Sequence, residues 1–212
     1  MIKDKPVKLI QWLIIGVEKF LLSHFSSVKF QNEPIASDDK STLLLMNHVS
    51  FRDGAILHLF CRRFLQKRFK AMVMEQQMKT FTFLRHIGCF SVNRKSRKVI
   101  ESIEYAAELL NDPKNAVIIF PQGELYSMHL NRIHFENGLI HVLNKTKKPV
   151  QIIFAVFLTD YLDSLRPMAR VYFQEYTGEN SHSALQESYN NFYHECKMQN
   201  RNLHRPPAWV ME

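Results

Sequence analysis

Six glycines and three cysteines are few for 212 residues, and each scarcity excludes something. Sixteen phenylalanines against six glycines describe a core-rich chain with few tight turns. Cys61, Cys89 and Cys196 are odd in number and far apart, with no CxxC pair or zinc-finger spacing, so a disulfide framework or structural zinc site is excluded. A reducing compartment is the simplest setting for such thiols. Long apolar runs are also missing. The longest near the N-terminus, Trp12 to Val17, stops at Glu18-Lys19, whereas a bilayer span needs roughly 20 apolar residues. Lys3, Lys5 and Lys8 precede that run as in a signal peptide, but no small-x-small cleavage site follows. Internal repeats, low-complexity segments and linkers are absent. Acidic residues are outnumbered, 20 against 28 Lys and Arg, and the formal net charge of +8 favours anionic partners: nucleic acid, lipid headgroups or a phosphorylated ligand.

What remains is an ordinary globular composition, 46% hydrophobic and 23% charged, on a chain long enough for one well-filled core. Leu9, Leu13, Val17, Phe20 and Leu21 fall on one helical face. Residues 1–30 therefore read as an N-terminal amphipathic helix. It either packs on the domain or lies in a membrane interface with Trp12 and the lysines at headgroup level. Residues 31–212 read as a single α/β domain. Strand candidates (SVKFQNEP, STLLLMN, FKAMVME, HIGCFSVN, NAVIIF, PVQIIFAVFL, ARVYFQEYT) alternate with helical patterns over 54–63, 96–112, 137–146 and 183–201. That alternation predicts a mixed, largely parallel central sheet flanked by helices. Ligands gather beyond the carboxyl ends of such strands. Two of those ends carry conspicuous polar residues, Asn47-His48 after LLLM and Pro121-Gln122-Gly123-Glu124 after VIIF.

His48 and Asp53 are five apart, too far round a regular helix to meet. They meet only if His48 lies in the loop before a helix and Asp53 in its first turn, where a carboxylate would orient an imidazole base. On spacing alone the simpler reading is a helix cap, with Ser50 at the N-cap and Asp53 three residues on. FPQGEL, Phe120 to Leu125, is a tight turn with Pro at its second position. GCFSVNR places Arg94 just past a strand, where it can clamp an anion or simply be solvated. CRRFLQKRFK interleaves basic and aromatic residues, which suits phosphate contacts of any kind, but no nucleic-acid recognition motif accompanies it. His129, His134 and His141 match no metal-ligand spacing, so no metal is expected.

Taken in order, these blocks resemble the PlsC-type glycerolipid acyltransferases of the lysophospholipid acyltransferase superfamily. NHVSFRD matches that family's NHx4D block, GCFSVNR looks like its second block, and FPQGE like its third, usually written FPEGTRS. HFENGLIHVLNKTKKPVQIIFAV and RVYFQE are similar to the elements that follow, so the resemblance runs from about residue 40 to 176. It implies the glycerolipid acyltransferase fold and transfer of a fatty acyl group from acyl-CoA or acyl-carrier protein to a hydroxyl of a lysolipid, with no cofactor. His48 would be the general base and Asp53 its orienting partner. Asn47, Arg94, Phe120, Pro121, Gln122, Gly123 and Glu124 would bind substrate. Backbone N–H groups of the Asn47 or Gly123 turns are candidates for holding the oxyanion. The expected partners are a lipid acceptor, the acyl thioester and an anionic membrane surface, and the expected place is the cytoplasmic face of a membrane, peripheral or monotopic. Nucleic acid is not an expected partner.

The third block departs from the pattern: Gln122 replaces the usual Glu, and Glu124-Leu125 the usual Thr-Arg. The missing arginine is the one that the family uses for the acceptor's phosphate. Two alternatives follow: an acceptor other than a glycerophosphate (an aminolipid, glycolipid or pigment), or a non-catalytic lipid-binding protein on the same fold.

Overall fold

The computed structural model describes residues 1–93, 99–162 and 164–203. A seven-stranded sheet runs through it in the order β1 (Ser27–Gln31), β7 (Met168–Tyr176), β6 (Val150–Asp160), β2 (Ser41–Met46), β5 (Asn115–Ile119), β3 (Arg68–Met74), β4 (Cys89–Val92). Every pairing is parallel except β6–β7. The mixed sheet expected from the alternating pattern is present. β2 and β5 are buried at every residue because neighbours and helices cover both their edges and both their faces.

Two cores fill the two faces. One joins the sheet to α5 (Val99–Leu109), α6 (Gly138–Lys145) and α7 (His182–Asn202), with Tyr189 and Tyr193 fully buried. The other lies under α2 (Asp53–Phe60) and the π-helical turn Cys61–Leu65 that continues it. α7 starts at Ser181, whose hydroxyl accepts the Ala184 N–H at 3.3 Å. Between β3 and β4 lie α3 (Glu75–Thr80) and α4 (Leu84–Ile87), too short to leave a helical period in the sequence. α4 ends at Gly88, whose φ is +112° and where a Cβ would lie 2.1 Å from the Phe69 carbonyl oxygen, so only glycine fits.

The N-terminal segment contains more than a helix. α1 occupies Lys8–Leu22, and residues 27–31 already belong to the sheet as β1. Ahead of α1 the chain runs along the outer strand: Ile2 and Ser91 exchange hydrogen bonds of 2.7 and 2.9 Å, and the Lys5 N–H donates to Arg85 O at 2.8 Å. This arm covers a sheet edge that would otherwise be open. It is fixed by Asp4, whose side chain is 2% exposed, which pairs with the buried Lys70 and accepts the Tyr105 hydroxyl. α1 itself docks through Ile14 and Glu18. The face carrying Leu9, Leu13, Val17 and Phe20, expected to be the packed face if the helix docks on the domain, points outward instead, with Trp12 71% and Phe20 76% exposed.

The basic run in CRRFLQKRFK is largely used internally. Arg62 holds Glu18 at 2.8 Å, Lys67 donates to the carbonyls of Ser37, Lys40 and Pro113, Arg68 pairs with Asp112, and Lys70 with Asp4. A phosphate-binding stripe there is not what the folded chain presents.

Candidate active site

The carboxyl ends of the adjacent strands β2 and β5 bring their two loops together. His48 lies in the loop after β2 and Asp53 opens α2, where a carboxylate also complements the helix N-terminus. His48 Nδ1 stands 2.8 Å from Asp53 Oδ2. The same oxygen accepts the N–H groups of Val49 and Ser50 at 2.8 and 2.9 Å. The capping reading is met as well: the Asp53 carboxylate reaches back to the Ser50 N–H, and Ser50 Oγ accepts the Arg52 N–H at 3.1 Å. Asp53 is fully buried, and its Oδ1 has no hydrogen-bond partner among the described residues.

An oxygen that already accepts two N–H donors must accept from the imidazole too, so Nδ1 carries the ring proton and Nε2 keeps a lone pair. Phe120, at the end of β5, stacks on the imidazole with ring centroids 4.0 Å apart and planes 17° from parallel. Gln122 is buried. Its Oε1 accepts the His48 N–H at 2.8 Å, while its Nε2 is unpartnered among the described residues. The Phe120–Gly123 turn closes with a 2.9 Å bond from the Gly123 N–H to Phe120 O, and the φ of +73° that follows suits glycine. Further along, the Tyr126 N–H donates to His48 O at 3.0 Å.

Two expectations are corrected. Asn47 does not line the cavity beside His48. It is fully buried, its amide spans to β6 by bonds of 3.0 Å to Phe157 O and 2.8 Å from the Phe157 N–H, and it extends the β2–β6 pairing by one residue. The N–H groups of the two turns are also spent: Asn47 on the Tyr189 hydroxyl, His48 on Gln122, Gly123 on Phe120. None of these three is left for an oxyanion. Tyr189, which in turn donates to Ala155 O at 2.8 Å, is a support that no sequence motif signalled. Burial pushes its phenol well above the usual range, so it stays a neutral donor and acceptor.

His48 opens on a cavity of about 820 Å³ whose walls are mostly apolar. Phe120, Pro121, Gly123 and Glu124 line it, and Gln122 stands behind them. Arg94 lies outside the described residues. The cavity wraps the carboxyl edge of the sheet. On one face it runs between α1, α2 and β3, and on the other toward α5 and α6. Residues that sequence reasoning missed are Phe51, in the turn before α2, and Gly54, Ala55 and His58, which share one face of α2 on the cavity wall.

Residues 27–155 match the family model for Acyltransferase, a stretch holding the His48–Asp53 pair and the Phe120–Glu124 turn. The chain belongs to the Acyltransferase family. A solved structure with the same fold as this acyltransferase is the crystal structure of the 1-acyl-sn-glycerophosphate (LPA) acyltransferase PlsC from Thermotoga maritima. The TM-score is 0.58 at 18% identity, covering 92% of this chain and 82% of that chain. No curated protein sequence matches the acyltransferase. Its largely parallel sheet and flanking helices match the PlsC fold, as the resemblance implied, and the N-terminal helix read from the sequence is present.

Proposed function

We propose that the acyltransferase moves a fatty acyl group from an acyl thioester, acyl-CoA or acyl-carrier protein, to a hydroxyl of a lysolipid at a membrane surface. The observation that carries this reading is a carboxylate-held imidazole, Asp53–His48, at an apolar cavity large enough for a lipid chain. The acceptor oxygen attacks the thioester carbonyl as His48 Nε2 takes its proton. Asp53 balances the imidazolium that forms. The tetrahedral intermediate collapses to the ester, and the proton passes from Nε2 to the departing sulfur, leaving a free thiol. Such general-base help is typically worth about 10²–10⁴-fold.

Membrane contact is supported by the outward face of α1, where Leu9, Trp12, Leu13 and Phe20 stand exposed, and by exposed Phe51 and Phe81 at the cavity wall. No helix among the described residues is long and apolar enough to cross a membrane. With net charge +8, the protein suits peripheral or monotopic attachment to an anionic leaflet, on the cytoplasmic side where its three free thiols stay reduced.

A second reading concerns the acceptor. Leu125 stands where the family pattern has the phosphate-binding arginine, and this favours an acceptor headgroup without a free phosphate monoester, such as an aminolipid or glycolipid. The test is thiol release from acyl-CoA with a panel of lysophosphatidic acid, neutral lysolipids and aminolipids, with His48→Ala as control. Transfer to at least one acceptor, abolished in the variant, is expected. Vesicle binding without transfer to any acceptor would leave a lipid-binding protein in its place.

A further inference from the structure

One arm of the cavity ends at a polar pair that the chemistry at His48 does not use. α2 runs antiparallel to β3, and both line this arm. Strand register sets Phe69 level with Ala116 and Thr42, far from the carboxyl edge where His48 stands. From Phe69 to Met74, both on the wall, β3 rises about 16 Å. His58, at the end of the α2 stripe, packs edge-on against Phe69 with centroids 5.2 Å apart, so it marks the deep end.

There a second carboxylate–imidazole pair is built. Glu18 of α1, 3% exposed, places Oε2 2.5 Å from His58 Nδ1, while Arg62 donates to Oε1 at 2.8 Å. Burial alone would raise the Glu18 carboxyl, but the His58 and Arg62 hydrogen bonds outweigh it and hold it below the ordinary carboxylate range. Glu18 is thus an ionised acceptor, and His58 Nδ1 carries a proton. Nε2 of that ring meets no partner among the described residues, and the ring lines the cavity.

A plain methylene chain reaching this depth displaces water from Nε2 and returns no hydrogen bond, which is unfavourable. A hydroxyl returns it in either state of the ring. It donates to the lone pair of neutral imidazole and accepts from the N–H of imidazolium, whereas a keto oxygen serves only the second. We propose that the Glu18–His58 pair is a recognition site for a hydroxyl group on the substrate's aliphatic chain, so that the arm takes a hydroxylated acyl chain in preference to a plain one. The inference rests on the reading of the cavity as an acyl site, and it is separable from turnover.

The test is equilibrium displacement of a fluorescent fatty acid from the full chain by hexadecanoic acid and by a positional series of its monohydroxy isomers. One isomer, or two adjacent ones, should bind about 10–100-fold more tightly than the plain acid. In His58→Phe that preference should fall to within about threefold, and His58→Gln, which keeps a donor and an acceptor, should recover part of it. Arg62→Gln, which leaves the Glu18–His58 contact in place, should keep the preference, separating recognition from the clasp between α1 and α2. Equal binding of plain and hydroxylated chains, or a preference unchanged in His58→Phe, overturns the proposal. Failure of every chain to displace the probe overturns the acyl reading of the cavity and the proposal with it.

Discussion

Replacing Asp53 by Asn keeps the shape of the side chain and removes its charge. One oxygen of Asp53 accepts from His48 Nδ1, Val49 N–H and Ser50 N–H, all within 2.9 Å. Bonds to a charged acceptor contribute about 1.5–3 kcal/mol and neutral ones about 0.5–1.5, so three weakened bonds cost about 3 kcal/mol. For a chain of this length that lowers Tm by about 6–12 °C. The protein stays folded at 25 °C, because domains hold about 5–15 kcal/mol in reserve. The rate should fall much further than stability requires. The amide can present its NH₂ to the ring, which favours the wrong tautomer, and it cannot balance an imidazolium. Loss of the base contribution is about 10²–10⁴-fold in kcat/KM. If His48 and Asp53 act as one unit, the double variant His48→Ala/Asp53→Asn is no slower than His48→Ala alone. The assay is thiol release from acyl-CoA at saturating acceptor, beside a thermal melt of each variant. A rate for Asp53→Asn within about threefold of the parent, or losses that simply multiply in the double variant, would refute the dyad.

Three further perturbations have definite expected outcomes. Asp4→Ala leaves Lys70 buried without its carboxylate and should cost about 3–5 kcal/mol, read as a fall in denaturant midpoint with little change in slope. Gly88→Ala drives a Cβ to 2.1 Å from a backbone oxygen at φ +112°, and should destabilise by more than the ordinary glycine-to-alanine difference of about 1 kcal/mol. Glu18 has a lowered folded pKa, so its contribution is present above the unfolded value near 4.5 and is lost as pH falls through the lower folded value. The stability gap between the parent and Glu18→Gln should therefore be constant near neutrality and shrink in acid, and a gap that is flat down to pH 3 would contradict the clasp.

Much of the architecture was legible because the central strands obey a simple rule. LLLM and AVII are continuous apolar runs, and they occupy the doubly covered middle of the sheet. The period of α5 was equally plain, with Ile103, Ala106 and Ala107 inward. α1 defeated the same reasoning. Its strongest apolar stripe faces out, and the residue that docks it, Glu18, is the charge that periodicity marks as solvent-facing. Burial there follows from partners 40 and 44 residues away, His58 and Arg62, which no local pattern encodes. Asn47 failed for a related reason: a polar residue after a strand looks like a ligand contact until the neighbouring strand is known to run on and receive it. His48 and Asp53 lay between these cases. Their spacing permitted contact, and only the loop's folding back, with two amides on the same oxygen, makes that contact the geometry of the turn.

The spent amides of the β2–α2 turn have a consequence for the energetics of turnover. Four consecutive N–H groups, Asn47 to Ser50, are fixed by Tyr189, Gln122 and Asp53, all groups of the chain itself. The orientational entropy of placing His48, the proposed base, is therefore lost once, when the chain folds, and not again in each catalytic cycle. Such a turn is preorganised. Loosening it at Tyr189, which is not part of the cavity wall, should show as a slower chemical step at unchanged lipid affinity.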